Sequence, residues 1–104
     1  MDEREFLTRA DAQLAAIENA LDGLDADVDF ELKPGGILEL EFADGSKMII
    51  NRHAAAREIW VAARSGGFHF RWDGEAWIGT RDAAPLMEVI SRCMSQQAGE
   101  DIAL

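Results

Sequence analysis

The sequence lacks most features on which secreted proteins and many enzymes depend. It has one cysteine, Cys93, and two histidines, His53 and His69, in 104 residues. A single cysteine excludes an internal disulfide and is typical of a reducing compartment. One cysteine and two histidines also make a structural zinc site unfavourable. No P-loop, dinucleotide-binding glycine motif or paired-cysteine motif occurs, so no motif predicts an enzyme.

Long apolar runs and basic residues are scarce as well. No run approaches the roughly 18 consecutive apolar residues that a membrane span needs. The opening MDEREF is acidic, unlike a signal or transit peptide. Only 10 bases accompany 20 acids, a formal net charge of −10. This charge disfavours nucleic acid and anionic membranes, and it favours cations or basic protein surfaces. We therefore expect a cytoplasmic protein.

The negative charge is concentrated in the first third of the chain. Residues 1–31 carry ten acids and two bases, a net charge of −8, whereas residues 32–104 carry a net charge of −2. Such an asymmetry indicates a local role for the carboxylates.

Hydrophobic periodicity predicts the fold. Residues 3–23 carry one apolar stripe at helical spacing, which predicts a first helix that stops at Gly23. Residues 27–32 then alternate between acids and apolar residues, as a half-buried strand does. Short turns separate the remaining predicted strands, which favours an antiparallel meander. These strands span 37–42, 47–52, 58–63, 68–72 and 76–80.

A second helix is predicted from Pro85 onward, with Cys93 packed on its apolar side. The predicted fold class is α+β, with residues 1–104 forming a single domain. In it the N- and C-terminal helices pack on one face of a five- to six-stranded antiparallel sheet. This two-layer α/β sandwich leaves the other sheet face open to solvent or to a partner.

Seven carboxylates continue from the flank of the first helix onto one face of the first strand, and we call this set the acidic ridge. Asp22 and Asp25 lie near the helix C-terminus, where the helix dipole disfavours anions, so the ridge carries a folding cost that suggests a function. Carboxylates suit hard cations, but no EF-hand loop is present. A solvated face or a docking site for a basic surface are the alternatives. The ridge comprises Asp11, Glu18, Asp22, Asp25, Asp27, Asp29 and Glu31.

The tryptophans divide between core and surface. Trp77 is expected in the core. If Ile59 and Val61 face the helices, Trp60 faces the open side of the sheet, where an exposed tryptophan is a good binding hot spot. His53 and His69 have no context that predicts a catalytic or zinc-binding role.

Several short motifs, in order along nearly the whole chain, resemble the frataxin family and specifically its bacterial branch, the CyaY proteins. The motifs are DGSKMIINR at 44–52, IWVA at 59–62, GGFHF at 66–70, EAWI at 75–78 and QQAGE at 96–100. The resemblance implies the same two-layer fold. It also shows one departure, because Asn19 and Gly23 stand where relatives often carry a second ridge carboxylate.

The resemblance further implies a function without enzymatic activity. Iron, as Fe²⁺ or Fe³⁺, would bind weakly to the seven ridge carboxylates, and the protein would take part in iron–sulfur cluster assembly and regulate it. The implied partners are the cysteine desulfurase and the iron–sulfur scaffold protein. Glu18, Asp22, Asn51 and Trp60 are the implied partner-binding residues. A monomer is expected, with iron-dependent oligomers as the alternative.

Two other functions remain open at the level of sequence. One is a ferroxidase or iron-storage protein, although no Glu-x-x-His pair on facing helices provides a di-iron site. The other is an acidic protein-interaction module without a metal role.

Overall fold

The computed structural model describes residues 1–104 and consists of two helices and one six-stranded sheet. The predicted fold class is confirmed, with six strands. The helices are α1 (Glu3–Asp22) and α2 (Leu86–Ala98). The strands are β1 (Val28–Lys33), β2 (Ile37–Phe42), β3 (Lys47–His53), β4 (Glu58–Ala63), β5 (Gly66–Trp72) and β6 (Trp77–Gly79).

Helix α1 begins and ends where its sequence dictates. The Asp2 side chain accepts a hydrogen bond of 2.8 Å from the Glu5 backbone N–H, which satisfies one of the free donors of the first turn. The apolar stripe is buried from Phe6 to Leu21, and Gly23 follows the last turn. That last turn contains no basic residue, so the C-terminal end of the helix dipole lies beside acids alone.

The six strands follow one another in the sheet in chain order, and each pair of neighbours is antiparallel. A tight turn joins β2 to β3. In it the Gly45 N–H donates to the Phe42 carbonyl, and Gly45 has a φ of +84°, a left-handed conformation that favours glycine. These turns set the register that brings side chains of different strands together.

Both helices cover the same sheet face, and the core lies between the two layers. Twenty buried hydrophobic residues form one cluster. Trp77 and Cys93 belong to it, as predicted. The opposite sheet face has no helix over it and carries the polar residues of the strand alternation.

Several predicted boundaries differ from the structure. Strand β1 lies one residue later than predicted, and β3 extends to His53. Strand β6 has three residues because the chain turns away after Gly79, whose N–H donates to the Ala84 carbonyl. Pro85 is the N-cap of α2 and lies outside its first turn. Its backbone is extended because it forms a β-bridge with Ile78.

The two edges of the sheet are not equivalent. The Ile78–Pro85 bridge lies on β6, and proline has no N–H to offer to a further strand. Strand β1 pairs with β2 alone and carries Leu32, which is 43% exposed. Neither helix combines the length and hydrophobicity that crossing a bilayer requires.

Candidate metal-binding ridge and docking surface

The acidic ridge runs along the edge formed by α1 and β1. Helix α1 ends at Asp22, and the chain returns through Asp25 and Asp27 into β1. Six of the seven ridge carboxylates belong to exposed residues, and Glu18 is partly buried. The ridge is therefore open to solvent along its whole length.

Asp11 differs from the rest of the ridge because it is paired with an internal cation. The Arg52 Nη1 donates to both Asp11 carboxylate oxygens, at 2.6 and 2.7 Å. The Arg52 Nε donates to the Gly35 carbonyl at 3.3 Å, in the turn between β1 and β2. A Cβ on Gly36 would collide with the Arg52 side chain, so glycine is required for this arrangement. Arg52 thus joins α1, β3 and the β1–β2 turn.

The other six ridge carboxylates form no ion pair with any Lys, Arg or His side chain. Glu18 and Asp22 lie one helical turn apart, a spacing at which like charges repel. The uncompensated charge therefore lies at the end of the ridge where α1 finishes and β1 begins.

Strand pairing extends the acidic surface onto β2. Asp29 lies directly opposite Glu41, and Glu31 directly opposite Glu39. Like charges at opposed positions are unfavourable. Glu39 is compensated, because Lys33 Nζ lies 2.8 Å and Lys47 Nζ 3.1 Å from its oxygens.

The ion pairs at Glu39 shift the protonation equilibria of the groups involved. Hydrogen bonds from Lys33 and then Lys47 lower the pKa of Glu39 below its ordinary value. The hydrogen bond to Glu39 raises the pKa of Lys33 in return. Both groups are therefore charged at neutral pH. Like Asp11, Glu39 is already paired with basic side chains of this protein.

A shallow surface hollow lies at the start of β1, lined by Asp27, Asp29 and Glu41 together with residues of the β2–β3 turn. No three of the chain's His, Cys, Asp and Glu side chains converge closely enough to hold a metal ion. The donor chemistry fits iron, since these are hard oxygen ligands. A hard cation at this surface would have at most two carboxylate ligands and would keep most of its water ligands.

The second candidate surface lies on the open face of the sheet, and we call it the Trp60 face. Ile59 and Val61 are buried, so Trp60 lies on the opposite side. Strand register places Trp60 directly between Asn51 on β3 and His69 on β5. His53 lies at the end of β3. The Trp60 face comprises Asn51, His53, Glu58, Trp60 and His69.

Two imidazoles stack on the Trp60 indole. The His53 ring lies on one side, with its centroid 3.8 Å from that of Trp60 and an interplanar angle of 14°. The His69 ring lies on the other, at 4.4 Å and 8°. The Trp60 Nε1 donates to Glu58 Oε1 at 2.8 Å. Both faces and the N–H of the indole are thus in contact with neighbours, and Trp60 remains partly exposed.

Sequence analysis missed the positions of His53, His69 and Glu41. The sequence around the two histidines predicts no catalytic or zinc-binding role, and it does not show that each lies on the open face beside Trp60. The signal was the pairing register, because short turns make the facing residues of neighbouring strands predictable. The same register would have placed Glu41 opposite Asp29.

Comparisons with known proteins agree with this architecture. The frataxin-like domain profile matches residues 1–100. The chain is 64% identical over 104 residues to the "Iron-sulfur cluster assembly protein CyaY" of Dechloromonas aromatica (strain RCB), covering 100% of this chain and 99% of the relative. It is 50% identical over 103 residues to the protein of the same name from Paraburkholderia phymatum, with coverages of 98% and 96%.

A solved structure has the same fold. Frataxin from Psychromonas ingrahamii matches with a TM-score of 0.89 at 30% sequence identity, covering 99% of this chain and 97% of that chain. The chain therefore belongs to the frataxin-like family. Within it the relatives place the chain in the CyaY branch, which confirms the resemblance seen in the sequence motifs.

Proposed function

We propose that this protein binds iron weakly on its acidic ridge and regulates iron–sulfur cluster assembly by docking on the cysteine desulfurase. The relatives named above are iron–sulfur cluster assembly proteins. The observation that carries the proposal is the group of six exposed or partly exposed ridge carboxylates without an internal cation. Such a group favours an external cation or a basic surface.

The iron half of the proposal concerns the C-terminal end of α1 and the start of β1. Asp22, Asp25, Asp27 and Asp29 supply the free carboxylates there, and Glu41 adds one across the strand pair. Asp11 takes a smaller part than the sequence suggested, because Arg52 already neutralises it. Iron is held as cargo or effector, with water completing its coordination.

The docking half of the proposal uses both surfaces. Glu18 and Asp22 meet a basic patch of the desulfurase, while Asn51 and Trp60 meet the desulfurase or the iron–sulfur scaffold protein. Because iron and the basic patch share Asp22 and otherwise use neighbouring carboxylates, they compete. Regulation is therefore sensitive to iron, and the protein itself needs no catalytic group.

The proposed setting is the cytoplasm, and the proposed resting state is a monomer of one frataxin-like domain spanning residues 1–104. Charge repulsion along the ridge opposes association of identical chains. Bound iron reduces this repulsion, so oligomers are expected only with iron present.

An anaerobic Fe²⁺ titration followed by amide NMR shifts tests the iron half. We expect shifts and broadening at residues 22–31 and at Glu41, and little change at Asp11. Replacing Asp22, Asp25 and Asp27 with Asn should weaken the effect. The matched control is Glu75→Gln, which removes an exposed carboxylate outside both surfaces. Perturbation centred elsewhere would overturn the iron site.

A pull-down with purified desulfurase, with and without Fe²⁺, tests the docking half. Wild-type protein should be retained, iron should reduce retention, and Glu18→Gln/Asp22→Asn should reduce it without iron. Equal retention of that variant and Glu75→Gln would contradict docking through the ridge. Oxygen consumption above buffer alone during Fe²⁺ addition would instead favour the ferroxidase alternative.

A further inference from the structure

The histidines that enclose Trp60 differ in their hydrogen bonding. The His53 Nδ1 accepts a hydrogen bond of 3.3 Å from the Ala56 N–H, in the turn between β3 and β4. A proton on this nitrogen would face the N–H donor and remove the bond. The turn thus uses His53 Nδ1 as a hydrogen-bond acceptor.

His69 has the opposite environment. Its Nδ1 lies 3.6 Å from Glu58 Oε1, the same oxygen that accepts from the Trp60 indole N–H. A proton on this nitrogen would face a carboxylate and compete with the indole for it. Protonation at His69 therefore acts on the hydrogen bond that orients Trp60.

The remaining charges near the stack are of both signs, and Arg81 and Asp82 line the hollow beside His69. Glu58 and Arg71 lie opposite each other on β4 and β5. Arg57, in the β3–β4 turn, donates to the Ala54 carbonyl. Further along the open face Glu39 is paired with Lys33 and Lys47. Two protonated imidazoles would therefore add positive charge to a set of neighbours in which bases already outnumber acids.

We propose that His53 and His69 make docking on the Trp60 face pH-responsive, with acidification weakening it. This inference rests on the proposed function, since it concerns the partner that docks there. Histidine changes charge between about pH 5 and 8. Protonation adds up to two positive charges on the faces of the Trp60 ring. It also removes the Ala56 bond and draws Glu58 away from the indole.

The direction of the effect follows from charge complementarity. The partner proposed above presents a basic patch to the neighbouring acidic ridge, so added positive charge on this chain weakens its approach. New positive charge around the hot-spot tryptophan repels such a partner. Conversely, a rise in pH restores the neutral stack and the oriented indole.

The first test needs no partner. The indole N–H resonances of Trp60, Trp72 and Trp77 are followed from pH 8 to pH 6 together with the imidazole resonances. The Trp60 indole should shift with the same midpoints as His53 and His69. Trp77 is in the core and Trp72 packs against Arg9 on the helix side of the sheet, so both should stay constant. A Trp60 resonance that does not follow the imidazoles would overturn the inference.

The second test measures affinity for the purified desulfurase–scaffold complex at pH 8 and pH 6. The variant His53→Gln/His69→Gln keeps planar polar side chains that do not titrate. We expect the wild-type affinity ratio between the two pH values to exceed that of the variant by roughly three- to tenfold. Titration of the partner itself affects both proteins equally and cancels in this comparison. Equal ratios would overturn the inference.

The binding of Trp60→Ala at pH 8 distinguishes a failure of the proposed docking from a failure of the proposed pH response. If it binds like the wild type, the proposed docking on this face is wrong. If it binds weakly while the wild type and the double glutamine variant share one pH dependence, docking stands and only the pH response fails.

Discussion

Along the acidic ridge, six exposed or partly exposed carboxylates have no ion-pair partner, whereas on the Trp60 face both ring faces and the N–H of one indole are already in contact. The ridge is defined by charge and has little fixed geometry. The Trp60 face is defined by geometry, with two rings stacked within 4.4 Å and the indole N–H bonded to Glu58. The ridge should therefore attract partners over a distance, and the Trp60 face should decide which partner fits.

This difference has a practical meaning for mutation and salt. Single changes on the ridge should have small, additive effects that salt reduces, because each carboxylate contributes to a shared field. Changes on the Trp60 face should have large effects that salt hardly alters, since packing is lost.

The largest effect is expected from Trp60→Ala. Loss of a central aromatic hot spot typically costs about 2 kcal/mol or more, or roughly a 30-fold loss of affinity for the desulfurase–scaffold complex. Isothermal titration calorimetry measures it. Trp72→Ala is the matched control, because Trp72 packs on the side of the helices. That variant should lose stability and keep its affinity; similar losses for both would show that the surface has no special role.

Arg52→Ala should have the next largest effect, on stability. It removes an ion pair in which the Nη1 contacts both Asp11 oxygens, and a hydrogen bond to the Gly35 carbonyl, which together link α1 to the sheet and to the β1–β2 turn. We expect a loss of about 1–2 kcal/mol in the free energy of unfolding, measured by urea denaturation.

Asp11→Asn isolates the ridge side of the same pair. It should destabilise less than Arg52→Ala and leave Fe²⁺ binding unchanged, because the carboxylate was already neutralised. A clear fall in Fe²⁺ affinity would mean that iron displaces Arg52, and Asp11 would then rejoin the metal-binding set.

Asp22→Asn/Asp25→Asn should raise stability slightly at low salt. Asp22 ends α1, whose last turn contains no base, and Asp25 follows three residues later, so removing these anions relieves an unfavourable interaction of about 0.3–1 kcal/mol at Asp22 and a smaller one at Asp25. The melting temperature in low salt, compared with that in about 0.5 M salt, where screening is strong, measures the effect. A gain that persists at high salt would not be electrostatic.

The smallest effect concerns pH and Glu39. Its pKa is lowered in the folded state, so its contribution to stability is present above its ordinary pKa and lost as pH falls through the lowered value. Glu39→Gln should therefore reduce the loss of stability below about pH 4, seen in urea midpoints. Glu41→Gln, which breaks no ion pair, is the control. Identical acid slopes for both variants would show that the two lysines do not matter.

Most of the fold could be predicted from the sequence because the apolar residues of each helix and strand recur at the spacing typical of that element. The alternation in β2 and the apolar stripe of α1 need no knowledge of the rest of the chain. The end of β6 could not be read in this way. There the chain forms the Ile78–Pro85 bridge, and no local pattern in residues 76–85 indicates it.

The candidate site was less predictable because it depends on contacts distant in sequence. The Asp11–Arg52 pair joins residues 41 positions apart and requires knowing how α1 lies over β3. The stack on Trp60 requires the register of three strands at once. A carboxylate or a tryptophan is visible in the sequence. Whether a residue distant in sequence already pairs with it or stacks on it is not.

The unequal edges of the sheet have a consequence for handling the protein in solution. Proline closes the β6 edge, so the sheet could add a strand only along β1, where acids keep identical chains apart. Concentrated samples should therefore stay clear while these acids are charged. Acidification or trivalent cations should produce turbidity through edge-to-edge aggregation. Light scattering would detect it, and a Leu32→Lys change on the exposed edge should delay it.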